Sequence, residues 1–397
     1  MNQRIIIIGA GIVGLAICRE LLLKGYKKVT IIDKEKSIAS HQSSRNSGVM
    51  HAGLYYKPGS LKATLSRQGI KYMKTYCKEK KINFEECGKI VIAKNKKEIP
   101  YLEDLLEKGK KNNLQGIQKI SNKEINKREP YVEANSGILV PEESIVSYLE
   151  VSNKFLEDIM NLGGNLILNT KIVKLEENFN SKSLYSSNKE RFDADIIISS
   201  SGLYSDKVSE ILGFKTKNKK IIPFRGEYYC FKKEYRYFVN NLIYPVPDPN
   251  FPFLGVHFTK MINGDIEAGP NAVLALAREG YDWNKINLSE LLESLNFSGL
   301  RNFVIKYPKT TLNEFLRSIN KFLFIKSLKE YIPDLELKMF IKGNSGVRAQ
   351  LMNEKGNLIQ DFEISHNENY ISILNAPSPA ATSSIAIAKY VANYLHK

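Results

Sequence analysis

The sequence predicts an α/β protein, α+β overall: a Rossmann-like dinucleotide-binding domain interleaved with a second domain built on an antiparallel sheet with helices. Three observations carry this. A strand, glycine turn, helix and second strand fill residues 4–33. A buried strand over 195–199 runs into another small-residue turn, and the stretch 221–268 is β-rich and aromatic, with turns over 245–252.

Ile5 to Ile8 form a continuous β-branched run, the signature of a short strand buried on both faces. Gly9-Ala10-Gly11-Ile12-Val13-Gly14 then gives GxGxxG, a helical pattern runs from Ile12 to about Lys24, and Gly25 stops it. Val29 to Ile32 reads as the next strand, ending at Asp33. Gly9 permits the tight turn, Gly11 lets backbone approach a pyrophosphate, and Gly14 lets the helix pack closely on the strand. The helix N-terminus offers free N–H groups and a positive dipole end to phosphates. Asp33 is placed for an adenosine ribose, and its charge disfavours a 2′-phosphate. A lone GxGxxG is weak; with both strands, the helix and the terminal acid it specifies a dinucleotide, without separating FAD from NAD.

The polar run Ser40 to Tyr56 has no periodicity, and a stretch of that length marks function more often than filler. Within it Gln42, Ser43, Asn46, Ser47 and Gly48 are small or amide-bearing and let backbone lie against a ligand. Leu61 to about Lys80 reads as an amphipathic helix, Ile90 to Ala93 as a strand, and the region to about Pro130 as charged helices. Further strands are expected at 138–140, 165–168 and 171–175, with a helix over 148–160. Ser200 to Asp206 is a turn leading to a helix, and 288–331 is largely helical. A strand at 370–374 precedes Asn375-Ala376-Pro377-Ser378-Pro379, and a terminal helix begins at about Ala380. The expected domains are 1–80, 138–220 and 343–397 for the dinucleotide, and 81–137 with 221–342 for the substrate.

Composition narrows the classes. Four scattered cysteines and five histidines show no metal-ligand spacing, so neither a disulfide scaffold nor a metal site is expected. The net charge of +16 is carried mostly by lysine, as a solvated surface or as attraction to an anionic membrane or acidic substrate. No nucleic-acid module is recognisable, so no nucleic-acid partner is expected. No stretch is long and apolar enough to span a bilayer.

Several segments together resemble one family. GAGIVGLA, HQSSRNSGVMHAGLYYKPGSLKA, GLYSD, PFRGEYY, YPVPDPNFPFLGVHFT, GVRAQ and NAPSPAATSSIAIA are similar, in order and over nearly the whole chain, to the L-2-hydroxyglutarate dehydrogenase/oxidase family. These are FAD enzymes of the D-amino-acid-oxidase-like superfamily. Asp33 departs from the glutamate usual there, yet still reaches a ribose hydroxyl. The resemblance implies FAD as cofactor, with contacts at Gly9, Gly11, Ile12, Gly14, Asp33, Lys34, Gln42, Ser43, Asn46, Ser47, Gly48, Val173, Gly202, Gly346, Val347, Pro379, Ala380, Ala381 and Thr382. It also implies a small dicarboxylate substrate and electrons passed to a membrane quinone or to oxygen. The chain starts directly at the first strand, as bacterial members do, so a cytoplasmic protein is expected, with peripheral contact to the inner membrane at most.

Oxidising a 2-hydroxy acid needs a base for the hydroxyl proton and cations for the carboxylate. His51 and His257 are the candidate bases, and their order stays open. Arg225 and Arg348 are the carboxylate candidates, because guanidinium pairs with carboxylate in two parallel hydrogen bonds. Tyr244, Tyr56 and Asn375 are candidate hydrogen-bond donors to substrate. Another 2-hydroxy acid, a D-amino acid or glycerol 3-phosphate is the alternative substrate, and a flavin-binding subunit without catalysis the alternative class.

Overall fold

The computed structural model describes residues 1–178, 181–216, 218–248 and 253–395. The turn expected over 245–252 lies outside them from 249 on, as does His396. In chain order the elements that build the site are β1 (Arg4–Ile8), α1 (Ile12–Leu23), β2 (Lys28–Ile32), α2 (Leu61–Glu79) and β3 (Lys89–Ala93). They continue with β4 (Ile196–Ser199), β5 (Lys219–Phe231), β6 (Leu242–Pro245), β7 (His257–Lys260), α3 (Leu288–Asn296), α4 (Ser298–Lys306), α5 (Pro308–Ile319) and α6 (Lys321–Leu328). The chain closes with β8 (Phe340–Asn353), β9 (Tyr370–Asn375) and α7 (Ser384–Ala392).

β1 lies inside a six-stranded sheet, parallel to β2 on one side and to β4 on the other. Its unbroken isoleucine run follows from burial on both faces. Ile5 and Ile7 join the core formed with α1 and α7, while Ile6 and Ile8 join a second cluster with Leu184 and Val208. That second face is covered by a three-stranded meander over Ile172–Ala194, of which the sequence reading placed only the first strand. Each isoleucine removed from water in this way contributes on the order of 1.5–3 kcal/mol.

The second sheet has nine strands and is mixed, with β5 and β8 antiparallel from Lys219 opposite Asn353 to Phe231 opposite Phe340. β3 and β6 run parallel in the same sheet. The strand Ser136–Val140 and the whole of β8 are hydrogen-bonded here, whereas splits at 138 and 343 put most of both with the dinucleotide domain. Gly343 to Gly346 are small residues that disfavour strands, and pairing with the long β5 holds them in β8. In the register this creates, Gly226 faces Gly346, leaving a strip of bare backbone beside the cavity.

The terminal helix starts at Ser384, four residues later than expected, because residues 378–383 form turns. Charged helices were expected up to Pro130, but Gln118–Ser121 is an edge strand between two of them.

Candidate active site

A cavity of about 1370 Å³ runs from the N-terminus of α1 to the ring faces of Tyr244 and His257. It is larger than a single small ligand needs. At one end the glycine turn is shaped by contacts no side chain could share. Gly9 has φ +113°, and a Cβ there would sit 2.6 Å from the Ser200 carbonyl oxygen. A Cβ on Gly14 would fall 2.0 Å from the Gly9 carbonyl oxygen, so Gly14 brings helix and turn together and does not itself line the cavity. Gly11, Ile12 and Val13 open the helix N-terminus onto the cavity. The Asp33 carboxylate accepts from Ala10 N–H at 2.6 Å and Glu35 N–H at 2.8 Å, bridging the turn to the segment after β2 while lining the cavity.

The polar run packs around this end. Ser43 Oγ accepts from Ile12 N–H at 2.9 Å, and Gln42 Oε1 accepts from Ala349 N–H at 3.1 Å. Asn46 holds its own turn through Gln42 O, Ser43 O and Gly48 N–H. Ser47, Val173, Gly202, Gly346, Val347, Pro379, Ala380, Ala381 and Thr382 line the cavity; Gly48 does not, and serves the turn at φ +69°. Lys34 lines it too, its ammonium held between Glu35 and Glu279. Those two acids and His41 bring ligand atoms within 4.8 Å of one another, but the Lys34 ammonium already supplies the positive charge. The bare backbone, the helix N-terminus and the free faces of Asp33 fit a pyrophosphate and ribose, and the length fits FAD.

The other end holds the titratable groups. His51 Nδ1 lies 3.3 Å from Glu143 Oε2, close enough for an ion pair but off the hydrogen-bond direction. Glu143 is fully buried and accepts from Lys89 Nζ at 2.6 Å and Ala52 N–H at 3.1 Å. Burial works to raise the Glu143 carboxyl, but Lys89 and His51 outweigh it and hold it down at about 2. A carboxylate only accepts, so the proton of a neutral His51 belongs on Nδ1 and Nε2 is left as an acceptor. Lys89, equally buried, also stands 5.0 Å from the Tyr244 ring centroid and 4.8 Å from that of Tyr55.

His257 donates from Nδ1 to the Gly255 carbonyl at 3.0 Å and packs on Tyr244 with ring centroids 3.9 Å apart. Burial, with Arg348, His51 and Lys89 adding like charge, pushes it down to about 3. His257 is therefore a neutral ring whose Nε2 accepts. Arg348 lines the cavity and donates to Asn271 O at 3.3 Å, with no ion pair among the described residues. Tyr56 lines the cavity, and the Tyr55 hydroxyl is buried there without a hydrogen-bond partner among the described residues.

Two residues expected at the substrate lie elsewhere. Arg225 does not line the cavity: it is fully buried, paired with Glu227 at 3.0 Å, donates to Asp282 O, and stacks 4.3 Å from the Trp283 ring centroid. Successive strand residues point to opposite sides, and neighbouring Gly226 is the one on the cavity. Asn375 is buried outside the cavity and donates to Ile359 O and Asp361 O. The Asp361 carboxylate in turn accepts the Leu61 and Lys62 N–H groups at the start of α2.

Sequence reasoning missed Glu143, Lys89, Tyr55 and Lys62. Lys62 lines the cavity with its ammonium 4.7 Å from the Tyr56 ring centroid, and burial pushes it down to about 8 against the pull of Asp361. A lysine leading the apolar run KIVIA was the one available signal for Lys89; nothing in spacing links it to Glu143 or His51.

The FAD dependent oxidoreductase family profile matches residues 4–394. L-2-hydroxyglutarate dehydrogenase of Indibacter alkaliphilus is 47% identical over 398 residues, covering 100% of each chain. The mitochondrial L-2-hydroxyglutarate dehydrogenase of Homo sapiens is 38% identical, over 98% of this chain and 88% of that one. Among solved structures, dithionite-reduced L-alpha-glycerophosphate oxidase of Mycoplasma pneumoniae with FAD bound superposes with TM-score 0.79 at 22% identity, covering 100% and 95%. Glycine oxidase of Geobacillus kaustophilus superposes with TM-score 0.74 at 15% identity, again over 100% and 95%.

Proposed function

The chain belongs to the FAD-dependent oxidoreductases and, among them, to the L-2-hydroxyglutarate dehydrogenases, and from that premise we propose that it oxidises L-2-hydroxyglutarate to 2-oxoglutarate. The observation that carries the reading at the site is that His51, which lines the cavity together with Arg348, is backed by the buried Glu143 carboxylate. FAD, when bound, supplies the acceptor for the hydrogen and two electrons that leave the substrate C2. The turn from Gly9 to Val13 would hold its phosphates and Asp33 its ribose, with Gly346, Val347 and Pro379 to Thr382 along its length.

The protein's own residues do the rest. Arg348 binds the carboxylate next to C2 by two parallel hydrogen bonds, and Lys62 holds the distal carboxylate. His51 Nε2 receives the hydroxyl proton. The charge it gains is balanced by Glu143, whose own burial is offset by Lys89. His257 is less suited as base, since Arg348, His51 and Lys89 all oppose a charge on it; its bare Nε2 orients the hydroxyl instead. The carboxylates among the cavity-lining residues are Asp33, Glu35 and Asp361, each already bonded to backbone N–H groups or to cations. Among the described residues that leaves no acid for an ammonium, which favours a hydroxy acid over an amino acid.

The electrons pass on to a membrane quinone or to oxygen. Among the described residues no helix is long and apolar enough to cross a membrane. The reading is of a cytoplasmic protein that meets the membrane peripherally. Anaerobic addition of the L and D forms tests the chemistry: the flavin band bleaches with the L form alone. A band unchanged by either, or bleached equally by both, refutes the substrate assignment.

A further inference from the structure

The helices from α3 to α5 turn apolar residues outward. Nearly half of the large apolar side chains exposed by the described residues fall between 286 and 322. On α3 they are Leu288, Leu292 and Leu295, spaced to share one face, and on α5 Leu312, Phe315 and Ile319 repeat the pattern. Between them on α4, Ile305 is 75% exposed. Scattered apolar residues need no explanation, but amphipathic stripes on consecutive packed helices do.

The charges of the same segment are sorted. Its three acids face the protein: Glu290 accepts from Arg278 N–H, Glu293 pairs with Lys220 at 3.0 Å, and Glu314 pairs with Arg317. Exposed in the same segment are Arg301, Lys306 and Lys309. An apolar face bordered by cations, with its acids turned inward, is complementary to an anionic lipid surface. A second copy of the chain fits it poorly, because a two-fold contact sets the same basic surface against itself. The segment also touches the site: Phe303 of α4 meets Phe253, which lines the cavity, with ring centroids 6.3 Å apart.

We propose that the outward face of α3, α4 and α5 docks this protein on an anionic membrane, which deepens the peripheral-contact part of the function above and rests on it. The test is flotation of the FAD-loaded protein with phosphatidylglycerol/phosphatidylcholine vesicles and with pure phosphatidylcholine. The protein floats with the anionic vesicles only, and the double variant Ile305→Glu/Phe315→Glu binds them at least tenfold more weakly. A control pair on another surface, Leu149→Glu/Met160→Glu, keeps binding. Bleaching by L-2-hydroxyglutarate in solution is unchanged in both variants, so loss of docking and loss of chemistry are read separately. Failure of the wild type to float, equal binding by the α4/α5 variant, or self-association abolished by the same two substitutions overturns the proposal.

Discussion

Glu143→Gln tests the site most directly. The carboxylate stands 3.3 Å from His51 Nδ1 and 2.6 Å from Lys89 Nζ, with both Glu143 and Lys89 fully buried. Two unit charges at 3.3 Å in an effective dielectric of about 20 interact by about 5 kcal/mol. Lys89 on the same carboxylate cancels part of that, leaving about 2–4 kcal/mol of support for a protonated His51. At about 1.4 kcal/mol per factor of ten, flavin reduction by L-2-hydroxyglutarate slows by about 30- to 1,000-fold. The substitution also strands a buried ammonium, at a cost of about 3–5 kcal/mol in stability. Lys89→Met/Glu143→Gln removes both charges, so the melting temperature recovers while the rate does not. Stopped-flow reduction and calorimetry on the three proteins give the result. A single variant within about threefold of wild type, or a double variant that regains full rate, refutes the positioning role.

The two arginines should separate cleanly. Arg348→Lys raises KM by about 10- to 100-fold, as expected for losing a charge-assisted bidentate contact. Arg225→Lys leaves KM unchanged and lowers the melting temperature through lost contact with Trp283 and Asp282; a raised KM there returns Arg225 to the substrate. Gly14→Ala puts a Cβ where the Gly9 carbonyl oxygen lies, so purified protein should hold little FAD by visible absorbance after desalting. His257 is held down at about 3 in the folded protein, against about 6.5 in the unfolded chain. Between those values the unfolded chain carries a proton the native one lacks, so stability rises with pH and falls on acidification through that window. The contribution is at most about 1.4 kcal/mol per pH unit. Urea titrations at pH 5 and pH 7 should show a smaller difference for His257→Gln than for wild type; equal differences would mean the ring is charged when folded.

The sequence by itself determined the parts whose physics is local. A four-residue isoleucine run, glycines at fixed offsets and an acid at the end of the second strand specify β1, α1, β2 and the dinucleotide turn, because backbone sterics and strand burial act within about thirty residues. The polar run from Ser40 was legible as functional for the same reason: a long aperiodic stretch must find its partners outside itself, and Gln42 and Ser43 find them at Ala349 and Ile12. The tertiary structure decided what depends on residues far apart in the chain. Arg225 and Arg348 sit in equally small-residue surroundings, and only the pairing of β5 with β8 sends one into a buried ion pair and the other into the cavity. The candidate bases, His51 and His257, were indistinguishable by residue type. They differ because β3 places Lys89 under Glu143, and Glu143 behind His51, a partnership spanning 54 residues from Lys89 to Glu143 that no local pattern encodes. Their neighbours rank them: half-buried His51 has a carboxylate to balance the charge it gains, and buried His257 has Arg348 and Lys89 facing it.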